Sequence, residues 1–245
     1  MILLIYGIVL IILSIIMGKK RGVRSVLSLL INFIIIVFSL VFINLGFSIY
    51  FITFLAYLGI CLIIIFYLNG YNIKTKSAFI GVIIVTIINS LIIMYLNNKL
   101  HLGSFSYEFV DEISAYSFNI SLSLKQISFM VLLFICTGSI CDTAVAISSA
   151  LYEINSNAKL SKKELFKSGM NVGKDIIGTT VNTLLFSFIA GFIGYILWHN
   201  YDSFLDILNY HGFASEVIEL ICAIIGCLLI IPITTFIEIK LLKKN

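Results

Sequence analysis

Long runs of apolar residues, broken by short polar stretches, set the pattern of this chain. A membrane-spanning helix needs about 20 mostly apolar residues. Seven runs approach that length, at about 2–17, 25–45, 49–68, 78–96, 126–150, 175–197 and 217–239. They are continuously apolar rather than alternating, so they read as helices and not as strands of an outer-membrane barrel. A Gly46-Phe47-Ser48 turn separates the second run from the third, and the longest polar stretch, 97–124, separates the fourth from the fifth. The predicted fold is all-α: a polytopic membrane helix bundle of about seven transmembrane helices, forming one integral membrane domain over 1–245.

Composition explains why lipid is the expected solvent. Hydrophobic residues make up 60% of the chain and charged residues 11%, with a mean hydropathy of +1.12. Soluble domains carry about 25% charged residues, and no water-soluble core could hide this much apolar surface. Inside a bilayer every backbone N–H and C=O must be paired within the chain, which restricts spanning structures to helices and closed barrels. The first run has no basic segment before it; the basic cluster follows. It is therefore expected to be a retained spanning helix rather than a cleaved signal peptide.

Charge adds orientation. Fourteen of the 16 Lys and Arg residues fall after the first, third, fifth and seventh runs, and only Lys99 and Lys125 fall on the other side. Basic residues stay in short cytoplasmic loops. The prediction is an N-terminus outside and a C-terminus inside, in the cytoplasmic (inner or plasma) membrane. The same distribution makes the net charge of +4 topological, so no nucleic-acid partner is expected; the partner is the lipid bilayer. Between the fifth and sixth runs, the cytoplasmic stretch 155–174 contains Ser161 three residues before Glu164, the signature of a capping box. Leu165, Phe166 and Met170 then share a face opposite Lys162, Lys163 and Lys167. This reads either as a short amphipathic helix lying on the inner leaflet or as a solvated basic loop.

Metal and cofactor chemistry find little support. The three histidines (His101, His199, His211) and the outer-loop acids Glu108, Asp111, Glu112, Asp202, Asp206 and Glu216 are scattered, without the close regular spacing of metal ligands. The five cysteines lie inside apolar runs, where cysteine acts as a small hydrophobe. No cofactor, metal or enzymatic activity is expected. An aspartyl protease needs paired carboxylates, and a zinc protease needs a His-rich helix motif.

The candidate chemistry is one carboxylate. Asp142 stands in the interior of the fifth run, on a face shared with Gly138, Ser139, Ala146 and Ser149. Gly138, Ala146 and Ala150 step by four around it, and small residues at that spacing let another helix approach closely. Asp142 is therefore expected to face the bundle. Thr179, Asn182 and Thr183 of the sixth run, continued by Ser187 and Gly191, are the neutral donors proposed to meet it, with Gly178 and Gly191 as packing positions. A carboxyl buried without a cation can change protonation, as a proton-coupled carrier requires. The bland alternative is a helix-to-helix hydrogen bond that fixes packing. Thr86, Asn89 and Ser90 in the fourth run and Asn32 in the second extend the polar inventory, and Pro232, the single proline, is expected to kink the seventh helix.

Three stretches, "GSICDTAVAISSALYEI", "GKDIIGTTVNTLLFSFIAG" and "SEVIELICAIIGCLLIIPITTFI", together with "GKKRGVRSVLSLLINF" near the start, resemble the YibE/F family of bacterial membrane proteins. The resemblance spans nearly the whole chain, and the short N-terminal part is more similar to the YibF half of a YibE–YibF pair. It implies a multi-pass permease or transporter component of unspecified solute, with a YibE-like paralogous subunit as partner; the alternative is a non-transporting scaffold of a membrane complex. A fainter resemblance links "SICDT", the basic linker and "TTVNTLL" to the SecD/SecF export proteins. There an Asp-bearing helix continues into an Asp/Arg-rich segment, whereas here "AISSALYEI" follows, without arginine.

Overall fold

The computed structural model describes residues 2–100, 123–158, 160–198, 204–209 and 211–243. Every regular element among them is helical: α1 (Ile2–Gly18), α2 (Lys20–Asn44), α3 (Ile49–Leu62) continued by a π-helical turn (Ile63–Tyr67), α4 (Ile73–Leu100), α5 (Leu124–Asn157), α6 (Lys162–Trp198), the short α7 (Phe204–Asn209) and α8 (His211–Leu242). Among the described residues five segments, against the seven runs expected, are long and apolar enough to cross a bilayer: Lys20–Asn44, Ile49–Tyr67, Ile73–Leu100, Lys125–Asn157 and Phe213–Leu242. Most of the polar stretch 97–124, with His101, Glu108, Asp111 and Glu112, lies outside the described residues, as do His199, Asp202, Lys159 and Lys244.

Several helices begin earlier than the apolar pattern suggests, and local capping explains two of these starts. At α4, Thr75 N–H donates to Asn72 Oδ1 at 2.9 Å and Asn72 N–H donates to Thr75 Oγ at 2.9 Å. This reciprocal cap satisfies N–H groups that a helix start leaves unpaired. At α6, Ser161 N–H donates to Glu164 Oε2 at 2.8 Å and Glu164 N–H to Ser161 Oγ at 3.3 Å. The capping box expected from the sequence is formed. It does not open a separate surface helix, however: α6 runs unbroken from Lys162 to Trp198. Leu165 is fully buried in the bundle core, with Met170 packed against it, while Lys162, Lys163 and Lys167 stay exposed. Leu165 and Met170 of the apolar face are thus covered by the chain's own core, while Phe166 stays exposed.

The core sits between α4, α5 and α8, which pack on one another, with α6 laid along α8 and α5. α3 and its π turn join through Tyr57, Cys61 and Ile65, all nearly or fully buried. α2 packs on α3, and α1 packs on α2. Small residues decide how close α8 comes. A side chain at Gly173 of α6 would collide with Ile231, and a Cβ at Gly226 of α8 would lie 2.6 Å from Ile140 Cδ1. The π turn ends α3 just before Gly70, whose φ of 76° turns the chain toward α4. Polar residues line the inner face of α4: Thr75, Ser77, Thr86, Asn89 and Asn97 are all buried. Tyr57 hydroxyl meets Thr86, and Asn97 Nδ2 donates to the Lys125 carbonyl at 2.6 Å.

Candidate functional site

The face predicted to be the site does not point into this bundle. On α5 the buried side is Cys136, Ile140, Cys141, Ala144, Ile147, Ser148 and Leu151; Gly138, Asp142 and Ala146 are exposed. Ser139 and Ala150 are half-buried between the two sides. On α6, Gly178, Thr179, Asn182, Thr183, Ser187 and Gly191 are exposed as well. Thr179 and Thr183 hydroxyls donate to carbonyls of their own helix, those of Ile176 and Thr179, at 2.9 and 3.0 Å. Among the described residues no hydrogen bond reaches Asp142. Among the described residues, nothing beyond their own helix backbone lies within 4 Å of where a Cβ would stand at Gly138, Gly178 or Gly191. The expectation that Asp142 faces inward is thus corrected. The face of α5 that carries Cys136, Ile140, Ala144 and Ile147 packs in the core, and the face that carries Gly138, Asp142 and Ala146 is left outside the bundle. Pro232 lies within α8, half-buried, among residues that face the core.

A different carboxylate occupies the interior. Glu238, near the end of α8, has no exposed surface. Ser77 of α4 donates to its Oε2, and Ser148 Oγ of α5 lies 3.0 Å from Ser77 Oγ. Three helices therefore contribute one side chain each to a buried oxygen cluster. Ser77 Oγ also stands 2.8 Å from the Lys74 carbonyl. A serine has one hydrogen to give, yet Ser77 faces a carbonyl, a hydroxyl and a carboxylate. Glu238 Oε1 has no donor, and neither the Thr234 nor the Thr235 hydroxyl, one turn earlier on the same face, has a partner. One carboxylate oxygen and two hydroxyls of this buried face are left without a partner. The cluster is suited to hold a proton or a small cation.

Beside the cluster opens a polar cavity of about 690 Å³, at the end of the bundle where the α1–α2 and α3–α4 turns meet the end of α5. Arg21, Arg24, Lys74, Asn69, Asn72, Thr75, Ser149 and Glu153 line it. Lys74 Nζ is 3.8 Å from the Glu153 carboxylate and 4.5 Å from the centre of the Tyr152 ring. At the opposite end, Glu216 and Glu219 line a smaller pocket with Ser187 and Phe188. No group of three or more His, Cys, Asp or Glu residues able to hold a metal ion occurs among the described residues.

The sequence carried a signal for Glu238. Thr234, Thr235 and Glu238 fall three and four residues apart, on one helix face. Standing at the edge of the seventh apolar run, two residues before Lys240, Glu238 reads as a flanking charge. Burial of its partners Ser77 and Ser148 depends on which helices meet, which one-dimensional spacing does not encode.

These features define a polytopic helical membrane protein with a polar interior. The family model described as YibE/F-like protein matches residues 6–244, and the chain belongs to that family. No curated protein and no solved structure matches it.

Proposed function

We propose that the chain is a permease component of the bacterial cytoplasmic membrane, an ion-coupled carrier subunit whose coupling group is Glu238. The observation that carries this reading is a carboxylate with no exposed surface, one of whose oxygens has no hydrogen-bond donor. An ionised carboxylate is costly in such a medium unless a proton or cation joins it. A group that must gain and lose that ion as the bundle opens to either side couples ion movement to solute movement. In this reading α1–α6 and α8 make seven crossings, with the N-terminus outside. The basic turns that gather with the C-terminus at one end of the bundle then face the cytoplasm.

Asp142 favours a second role within the same assembly. It is exposed at the middle of α5, where an uncovered charge costs at least about 2.5–3.5 kcal/mol. A further membrane chain, such as a paralogous subunit, would cover the Asp142 face with the donors of α6 beside it. In that case the chain is also an assembly subunit, with ion coupling kept within its own bundle.

One experiment separates the roles. The protein is reconstituted in liposomes, and currents are recorded on a supported membrane as solutes are stepped under a sodium or proton gradient. Gradient-dependent current is expected, and Glu238→Gln should abolish it while leaving a monodisperse protein. Current that persists in Glu238→Gln would sink the carrier reading. A photo-crosslinker at Ala146 should capture a second chain in cells, and Asp142→Asn should weaken that capture without touching ion coupling. Crosslinks confined to the chain itself would remove the assembly role.

A further inference from the structure

We infer that the cavity at the α1–α2 and α3–α4 turns is a binding site for a phosphate-type oxyanion, carried on a soluble solute or on a lipid headgroup. It deepens the permease reading by naming the class of solute, and depends on that reading only for what the binding accomplishes.

Basic residues beside a membrane often serve topology alone, so the argument rests on how these ones converge. Three cations, Arg21, Arg24 and Lys74, line one concave space of about 690 Å³ against a single acid, Glu153. Glu153 is engaged by Lys74 at 3.8 Å. Neither arginine has an acidic partner within 4 Å among the described residues. Two unpaired guanidinium groups present planar forks of donors that match a phosphate's oxygens, a fit that a point-charge lysine does not give. The volume lies within the range of small-molecule sites and leaves room for an organic group attached to the phosphate.

Backbone geometry adds to the same field. The first residues of α4, Lys74 and Thr75, line the cavity after the Asn72 cap, so the positive end of that helix is directed there. α2 also starts at the cavity. Its N-terminal flanking residue, Lys19, has a φ of 46° and gives no side-chain cap. A side chain at Gly22 would collide with the Ser14 carbonyl, so glycine there permits the tight reversal that brings Arg21 and Arg24 against the α3–α4 turn.

The position matters for coupling. Lys74 lines the cavity while its carbonyl belongs to the Glu238 cluster. Ser149 lines the cavity while its neighbour Ser148 faces Ser77. An anion in the cavity and a cation or proton at Glu238 would occupy adjoining sites of opposite charge.

The test uses the full chain, purified in neutral detergent, with radiolabelled inorganic phosphate at constant ionic strength and chloride as the competing control. Saturable phosphate binding is expected, weakened about tenfold or more by Arg21→Gln and by Arg24→Gln, the loss of a charge-assisted bond. Lys163→Gln, outside the cavity, should leave it unchanged. A parallel arm uses native mass spectrometry on protein from nanodiscs of phosphatidylcholine with or without phosphatidylglycerol. If the source is lipid, phosphatidylglycerol stays bound, excludes phosphate, and is lost in the same two variants. Absence of both saturable phosphate and variant-sensitive lipid overturns the assignment, as does equal loss in Lys163→Gln. Binding without gradient-driven current would keep this site and remove the carrier reading; current without binding would do the reverse.

Discussion

At the scale of single residues, two carboxylates have exchanged the roles that their sequence positions suggest. Asp142 lies deep in an apolar run and is exposed; Glu238 lies at the margin of one and has no exposed surface. Position along a run gives depth in the membrane, whereas inward or outward facing depends on which side of the helix its neighbours cover. The same distinction separates the glycines. At Gly173 an added methyl would meet Ile231, while at Gly138 it would meet no other element among the described residues. Overpacking a tight contact costs about 1–3 kcal/mol. Gly173→Val should therefore lower the unfolding temperature in detergent by several degrees, as followed by size-exclusion chromatography after heating. Gly138→Val should leave that temperature unchanged and instead impair any contact with a second chain. Equal destabilisation by both would mean that α6 does not approach α8 as closely as described.

At the scale of elements, the helical kind of the fold was legible because apolar length reports directly on transfer into lipid, whereas seven runs were read where five helices among the described residues are long and apolar enough to cross a bilayer. Helix starts were less legible, since they depend on caps a few residues outside the apolar run. The Ser161–Glu164 pair is the exception, being a local motif with its own spacing. It also gives α6 a pH signature. Hydrogen bonds from the Ser161 side chain and backbone hold the exposed Glu164 carboxyl below its ordinary value of 4.5. Because the folded value is the lower one, the cap contributes fully above pH 4.5 and is lost as pH falls through the folded value. Hydrogen–deuterium exchange of residues 162–166 should be slow at neutral pH. It should rise in Glu164→Ala relative to the wild type at the same pH, and the difference should vanish once the carboxyl is protonated. A constant difference across that range would exclude Glu164 as the capping group. Lys243, whose Nζ donates to the Leu160 carbonyl at 2.9 Å, ties the end of α8 to this same turn.

At the scale of the whole molecule, helices with a polar interior were foreseeable, while the division between interior and outer face was not. α4 shows why. Its buried Ser77, Thr86, Asn89 and Asn97 are isolated hydroxyls and amides in an apolar stretch, each ambiguous until its partner on α3, α5 or α8 is known. The orientation proposed above also follows from charge alone and calls for an independent measurement. The five cysteines supply the means, because all are free and buried in the packed interior. A membrane-impermeant maleimide should find the native chain blank, so the natural sequence can serve as its own unreactive background. Single cysteines introduced at Lys163 and Lys125 would then report sidedness without removing any native thiol. In intact cells Lys125→Cys should label and Lys163→Cys should label only after the membrane is opened; the reverse result would invert the topology. Close packing around five sulfur atoms thus makes this chain ready for site-specific labelling as it stands.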